Sequence, residues 1–358
     1  MCQTWARETT SIMADNHHHP VLIIGGGISG IVCALELYRL GVPVMIIEKE
    51  ASLGGLASHF CCKASEACNK CFACVVDKKL TELNGQSQIP QLTGADITGV
   101  AGGSGSYKVS FTKAGQVSEL EAGAIVVAAG IDPFDASGKG EYGYGVLKNV
   151  VTARDLEEML RFQGKIYRPS DGKLPKNIAF IQCVGSRDES IGNPYCSHVC
   201  CAYALRLIRA IRHQYPEVNA TFLYMDIQPA GASFHDFLNA CRADQGLRFI
   251  RSIPSRVYHS PVTEDLRVRL ADTERGEVVE EPFDMVVLSV GMVLKKEAKP
   301  LANLLGLGLN EEGFLANPAT GKGIYITGAC AGPKDIDLSI MHAKSTAASV
   351  HNFLQGRQ

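Results

Sequence analysis

An α/β fold of two Rossmann-like units, the first split in sequence, is the architecture this 358-residue chain predicts. Three observations carry it. Short apolar runs alternate with helix-like stretches, and a glycine-rich turn joins the first such pair. A late apolar run followed by a helix then returns near the C-terminus, placed to complete the first unit.

Residues 1–19, with His17, His18 and His19, read as a polar tail. Val21 to Ile24 is a short buried strand, Gly25 to Gly30 a glycine turn, and Ile31 to Leu40 a helix stopped by Gly41. Val44 to Ile47 closes this βαβ unit as a second buried strand. Gly99 to Gly105 reads as a hairpin or loop, and Ala124 to Ala129 as another buried strand ended by Gly130. A second βαβ-like pattern opens at Ile178 to Val184, passes a helix near Ala202 to His213, and reaches a strand at Ala220 to Met225. Met285 to Val290 is strand-like, Gly323 to Thr327 is a late strand turned at Gly328, and Ile340 to Leu354 is a helix with an apolar stripe. The expected division is a tail over 1–19, a nucleotide-binding unit over 20–150 and 292–358, and a second unit over 151–291.

Composition is that of an ordinary globular protein, with 46% hydrophobic and 20% charged residues. A net charge of −2 gives no reason to expect nucleic acid as a partner. No apolar run reaches the roughly 18 residues needed to span a bilayer, and the N-terminus lacks the apolar stretch of a secretory signal. A cytoplasmic location is the expectation. Thirteen cysteines are many for such a chain, and without a signal they point to metal, cluster or redox chemistry rather than disulfides.

The turn Gly25-Gly26-Gly27-Ile28-Ser29-Gly30 satisfies G-x-G-x-x-G between a strand and a helix. In this pattern the first glycine allows the tight turn, the second lets backbone amides approach a pyrophosphate, and the third lets helix and strand pack closely. The helix N-terminus adds unpaired N–H groups and a favourable dipole. Glu48 ends the next strand, 18 residues after Gly30, where a carboxylate accepts hydrogen bonds from ribose hydroxyls.

The run Glu48-Lys49 continuing to Gly54-Gly55 resembles the E-K-x-x-x-x-G-G extension of flavoproteins with two dinucleotide-binding domains. In that superfamily the glycine pair lies close to the pyrophosphate and ribityl chain of FAD. Val126-Val127-Ala128-Ala129-Gly130 resembles its A-x-G crossover, and Tyr325-Ile326-Thr327-Gly328 its late strand near the flavin. The resemblance implies FAD held by Gly25 to Gly30, Glu48, Lys49, Gly54, Gly55, Ala129, Gly130, Gly328 and Ala329. Ala329 stands where the superfamily usually has Asp, and Asp335 is the candidate substitute.

The second βαβ pattern lacks a glycine loop of its own. Cys183-Val184-Gly185-Ser186-Arg187 follows its first strand, and Cys196, Cys200 and Cys201 come just before the helix, in the spacing C-x12-C-x3-C-C. Four thiols thus converge where a second nucleotide's pyrophosphate would sit. They suit a [4Fe–4S] cluster or a structural zinc, and spacing alone does not choose between them. Cys68, Cys71 and Cys74 form C-x2-C-x2-C after the pair Cys61-Cys62. A second cluster, a dithiol facing the flavin and free thiols at a partner surface all fit that pattern. Cys33, on the first helix, reads as a core residue.

Q-C-V-G-S-R-D at Gln182 to Asp188, with Y-C-S-H-V-C-C at Tyr195 to Cys201, resembles the A-type component of heterodisulfide reductase. So do Gly130-Ile131-Asp132-Pro133-Phe134-Asp135 and Gly332-Pro333-Lys334-Asp335-Ile336. The likeness runs from about Val21 to Leu354 and implies a [4Fe–4S] cluster on Cys183, Cys196, Cys200 and Cys201. The C-x2-C-x2-C-x3-C-P runs of the methanogen form do not occur, so the layout is similar to the short A-like subunits of the sulfur-oxidising heterodisulfide-reductase-like complex, which it resembles most, and to the related subunit of a quinone-interacting membrane-bound oxidoreductase. The implied protein is an electron-transfer flavoprotein subunit, homodimeric when isolated, with cluster-bearing B-type and C-type partners. A stand-alone NAD(P)H-dependent disulfide reductase and a zinc-holding, non-enzymatic scaffold are the alternatives.

Overall fold

The computed structural model describes residues 19–228, 234–260, 265–273, 276–318 and 321–356. Most of the N-terminal tail, including His17 and His18, lies outside these residues.

The chain opens with β1 (Val21–Ile24), α1 (Ile28–Arg39) and β2 (Val44–Ile47). Then α2 (Ala73–Asn84) leads to the two-residue β3 (Gln91–Leu92). An antiparallel meander follows, made of β4 (Ala95–Gly103), β5 (Ser106–Lys113) and β6 (Gln116–Ala122), before β7 (Ala124–Val127). β8 (Ile131–Pro133), β9 (Val150–Thr152) and α3 (Ala153–Glu158) carry the chain into the second unit. There β10 (Asn177–Val184), α4 (Cys200–Gln214), β11 (Asn219–Tyr224), α5 (Phe234–Arg242) and β12 (Leu247–Arg251) alternate. A second meander, β13 (Arg256–His259), β14 (Leu266–Asp272) and β15 (Glu277–Phe283), precedes β16 (Met285–Val290). The chain returns through β17 (Met292–Leu294), α6 (Ala298–Leu305), β18 (Ile324–Ile326) and α7 (Ile336–Gln355).

Two five-stranded sheets organise these elements, in the orders β18-β7-β1-β2-β3 and β12-β11-β10-β16-β9. Every pairing within both is parallel. Parallel sheets bury both faces, which is why β1 (VLII), β2 (VMII) and β7 (AIVV) are apolar and buried at every position. Each unit follows the same plan of strand, helix, strand, helix, strand, meander and closing strand. The first is completed by β18, which pairs with β7 in register Ile324↔Ile125, so that unit is split in sequence.

Helix α1 begins at Ile28, three residues before the helix expected from the sequence. Its glycines belong to the helix as well as to the turn, because the missing side chain at Gly30 lets the helix press against the strand. A Cβ there would lie 1.9 Å from the carbonyl oxygen of Gly25. Ile31, Val32, Leu35 and Leu37 of α1 are buried beside Ala343, Ala347 and Val350 of α7. Each such fully buried aliphatic side chain stabilises by about 1.5–3 kcal/mol. Helix α7 likewise starts earlier than expected, because Asp335 caps it by accepting from the Leu338 N–H at 2.8 Å.

Candidate functional site: two strand-to-helix turns

In an open parallel sheet, ligands bind beyond the carboxyl ends of the strands. The residues singled out in the first unit lie on that edge. Gly25 follows β1, Glu48 follows β2, Ala129 and Gly130 follow β7, and Gly328 and Ala329 follow β18. Gly25 has φ +106°, and a Cβ on it would meet the Ala128 carbonyl oxygen at 2.3 Å, so the turn runs tight against β7. Gly54 donates to the Gly26 carbonyl at 2.8 Å and bridges Gly27, which lays the glycine pair alongside the turn.

Glu48 is set by the backbone. Its Oε2 accepts from the Gly26 N–H at 2.6 Å and its Oε1 from the Glu50 N–H at 2.8 Å. The carboxylate is thereby fixed at the mouth of the turn, where its remaining lone pairs can accept from ribose hydroxyls. Gly27, the N-cap of α1, has no side-chain cap, and a Cβ there would meet nothing within 4 Å. A Cβ on Gly130 would also point into open space. Uncapped N–H groups beside bare backbone make a cradle that a pyrophosphate fits. Lys49 stands apart from this cradle, half-exposed and paired with Asp96 at 3.3 Å. Asp335 is engaged as the cap of α7. Ser29 and His342, on α1 and α7, brace Gly328, whose N–H donates to His342 Nδ1 at 3.1 Å. Burial, with Lys334 nearby, lowers the His342 pKa and favours the neutral ring that accepts this bond.

The second turn occupies the same place after β10 but is built otherwise. Between β10 and α4 the chain makes an excursion over residues 185–199. Arg187 and Asp188 bond back to Tyr195 and Asn193, so the excursion folds as a small hairpin and returns Cys196 towards Cys183. The register of β10 against β16 shifts between Ile181 and Val184, and Cys183 takes φ +60°. A bulge of this kind re-aims a side chain. Arg187 and His198 also have positive φ, at 56° and 58°. Non-glycine residues held there cost about 1–3 kcal/mol each and cluster at functional sites. Cys200 and Cys201 are the first two residues of α4.

Cys183, Cys196, Cys200 and Cys201 all line one pocket of roughly 280 Å³ of non-atom space, part of it open to solvent. Burial above all, with the neighbouring Cys201 adding to it, pushes the Cys183 thiol up to about 12. Burial likewise raises Cys200 and Cys201. Buried thiols of this kind stay protonated unless a cation compensates their ionisation, which a metal ligand requires. Among the described residues, no three His, Cys, Asp or Glu side chains converge on one point as ligands of a single ion. A structural zinc takes four sulfurs about 2.3 Å from one centre and an iron–sulfur cluster spreads its ligands over several irons, and four cysteines suit either. Ser186, buried in the same pocket wall, has a hydroxyl without a hydrogen-bond partner.

Three residues of this pocket escaped the sequence reading as site residues. Arg187 grips Asp226 through both carboxylate oxygens, at 2.5 and 3.0 Å, and Gln228 donates to Asp226 at 3.0 Å. The signal for Arg187 was present in the Q-C-V-G-S-R-D motif, but its partner lies 39 residues on.

Between the two turns runs β8, paired with β17. Phe134, at its end, donates its N–H to the Gly291 carbonyl at 2.8 Å and packs on Gly185, where a Cβ would strike its ring at 2.0 Å. One short segment, Gly130 to Phe134, therefore joins the two sites. Fully extended, four residues span at most roughly 14 Å.

The cysteine-rich segment after the glycine pair is anchored on the second unit. Lys63 and Glu157 are 2% and 1% exposed and form an ion pair; Tyr203 also donates to Glu157, and Cys61 donates its N–H at 2.8 Å. Lys63 further sits 5.1 and 5.2 Å from the Phe60 and Tyr203 ring centres. Arg206 of α4 donates to the carbonyls of Asn69 and Lys70. Burial and Glu157 push the Cys61 thiol up to about 11, while Cys62, Cys68 and Cys74 are exposed.

No helix among the described residues is long and apolar enough to cross a membrane. The sequence profile of the pyridine nucleotide-disulphide oxidoreductase family matches residues 19–349. An A-type iron–sulfur component of the CoB–CoM heterodisulfide reductase of Methanopyrus kandleri is 33% identical over 91% of this chain and 63% of its own length. The A-type component of the H2:CoB-CoM heterodisulfide,ferredoxin reductase of Methanothermobacter marburgensis is 32% identical over 95% of the chain and 64% of its length. The chain thus spans under two thirds of these relatives. Thioredoxin reductase of Lactococcus lactis shares the fold, with a TM-score of 0.61 and 18% identity over 94% of this chain and 99% of that one. The chain belongs to the pyridine nucleotide-disulphide oxidoreductase family, as a flavin-dependent oxidoreductase related to the A-type component of heterodisulfide reductase.

Proposed function

We propose that the chain is the FAD- and [4Fe–4S]-carrying electron-transfer subunit of a heterodisulfide-reductase-like complex, serving the oxidation of sulfur compounds. One observation carries this reading. The second unit keeps the strand-to-helix plan of a nucleotide site but lines its turn with four cysteines around a single pocket. When bound, FAD supplies two-electron storage and the cluster single-electron transfer.

The residues of the chain have separable tasks. Gly25 to Gly30 and the start of α1 hold the pyrophosphate, and Glu48 orients the ribose. Gly54, Gly55, Ala129, Gly130, Gly328 and Ala329 enclose the rest of the dinucleotide. Cys183, Cys196, Cys200 and Cys201 ligate the cluster, with Ser186 offering a hydroxyl to a cluster sulfur. The segment from Gly130 to Phe134 links the two turns directly, with Phe134 bonded to Gly291 and packed on Gly185. In this reading B-type and C-type subunits carry the sulfur chemistry, and the isolated chain pairs with a second copy.

Anaerobic mixing with NADH and NADPH tests this against a stand-alone disulfide reductase. The flavin absorbance is expected to persist, because the second turn has no glycine cradle for a nicotinamide dinucleotide. Dithionite reduction is then expected to give the EPR signal of a [4Fe–4S] cluster. Rapid bleaching of the flavin by either nucleotide contradicts the proposal.

A further inference from the structure

Glu48 and Asp226 hold equivalent places. Glu48 directly follows β2, the parallel neighbour of β1. Asp226 lies just beyond β11, the parallel neighbour of β10. A carboxylate at this position takes the ribose hydroxyls of a bound dinucleotide. In the first unit the acid is held by the turn backbone, with lone pairs left over. In the second its oxygens are taken by the Arg187 guanidinium, and Gln228 adds a further donor. A forked pair of this kind is rigid as well as strong.

Arg187 itself belongs to the cysteine turn, four residues after Cys183, and it lines the cysteine pocket together with Asp226 and Gln228. Its backbone is held at φ +56°, and its N–H is fixed to the Tyr195 carbonyl at 2.8 Å. Its side chain lines the same pocket as Cys183 and Cys196. No other Lys or Arg among the described residues lines that pocket.

We infer that Arg187, clamped by Asp226 where this unit would otherwise grip a ribose, is the positioning residue that sets the reduction potential of the four-cysteine site. The inference rests on the proposed cluster and goes beyond it. Adding an electron makes the site more negative, so a fixed guanidinium stabilises the reduced form and Asp226 limits that effect. The charge matters because it is held in one place: Arg187 lines the pocket with the four cysteines and its side chain is 26% exposed, so water screens it only in part.

The experiment is an EPR-monitored redox titration of the anaerobically purified full chain, with iron, sulfide and flavin measured on each sample. Arg187→Gln is expected to lower the reduced-to-oxidised ratio at fixed potential by about tenfold, which is ~59 mV for a one-electron couple. Arg187→Lys keeps the charge without the fork and is expected to recover most of that shift. Asp226→Asn is expected to move the ratio the other way, and it carries the test if Arg187→Gln does not fold. Equal shifts in Arg187→Lys and Arg187→Gln, or an Asp226→Asn shift of the same sign as Arg187→Gln, overturn the inference. An unchanged potential in a fully loaded Arg187→Gln does so as well. A wild-type chain with flavin and no iron instead defeats the proposed function, which is a separate outcome.

Discussion

The two strand-to-helix turns have the same address and opposite chemistry. After β1 the chain reaches α1 in three residues, all glycine, of which Gly27 leaves bare backbone facing open space. After β10 it takes residues 185–199 to reach α4, and the turn is filled with side chains. The first acid, Glu48, is held by the turn backbone with room for a ligand; the second, Asp226, is locked by an arginine. A parallel sheet thus offers a binding edge whatever sits on it, and the turn residues decide what is bound.

The sharpest way to break this comparison is to remove one turn's chemistry and ask whether the other survives. Cys196→Ser is expected to abolish iron binding while flavin stays near one per chain, measured by elemental analysis and absorbance. Joint loss of iron and flavin would mean that the turns do not work independently.

Next in size is the anchor between the units. Glu157→Gln leaves the buried Lys63 without its counter-charge and is expected to cost about 3–5 kcal/mol in chemical denaturation. The paired replacement Lys63→Met with Glu157→Leu should recover most of that loss. A loss below about 1 kcal/mol for Glu157→Gln would show that the segment is not held by this pair.

A smaller contrast lies within the first turn. Gly30→Ala drives a Cβ into the Gly25 carbonyl and is expected to destabilise by about 1–3 kcal/mol. Gly27→Ala meets nothing within 4 Å, so its stability should change by less than about 1 kcal/mol. Its FAD affinity should nevertheless fall, because the new methyl enters the cradle. Thermal melts of the flavin-free chain and flavin titrations separate the two. Unimpaired FAD binding by Gly27→Ala would remove the cradle from the account.

The smallest effect concerns Cys33 of α1, whose thiol burial raises to about 12 from an ordinary value of 9.0. Below pH 9 the folded and unfolded chains carry the same proton there. As pH rises from 9 towards 12 the unfolded chain ionises and the folded one does not, so stability falls. Cys33→Ala should flatten that part of the pH–stability curve, and an unchanged slope would contradict the assignment.

Much of this was legible in the sequence because its signals were local. β1, β2, β7, β10 and β16 are short apolar runs bounded by glycine or polar residues, as strands buried on both faces must be. The late strand and helix that complete the first unit were readable as a repeat of that pattern. Both meanders were missed apart from the hairpin near residues 99–105, because β6 (QVSELEA) and β15 (EVVEEPF) are mostly exposed and polar. The β8–β17 ribbon joins residues about 160 positions apart, and no local pattern announces it. The same holds for Lys63 with Glu157 and for Arg187 with Asp226. In each case the partner is chosen by sheet order and domain packing. Asp335 shows the converse, since its Oδ1 caps a helix, a role that its place before an apolar-striped helix already allowed.

Whether sulfur has replaced the nucleotide at the second turn is tested most directly by iron, acid-labile sulfide and zinc measured per flavin on anaerobically purified wild-type chain. The expected result is about four irons and four sulfides per flavin with no stoichiometric zinc. One zinc per chain without sulfide, or flavin alone, would contradict it.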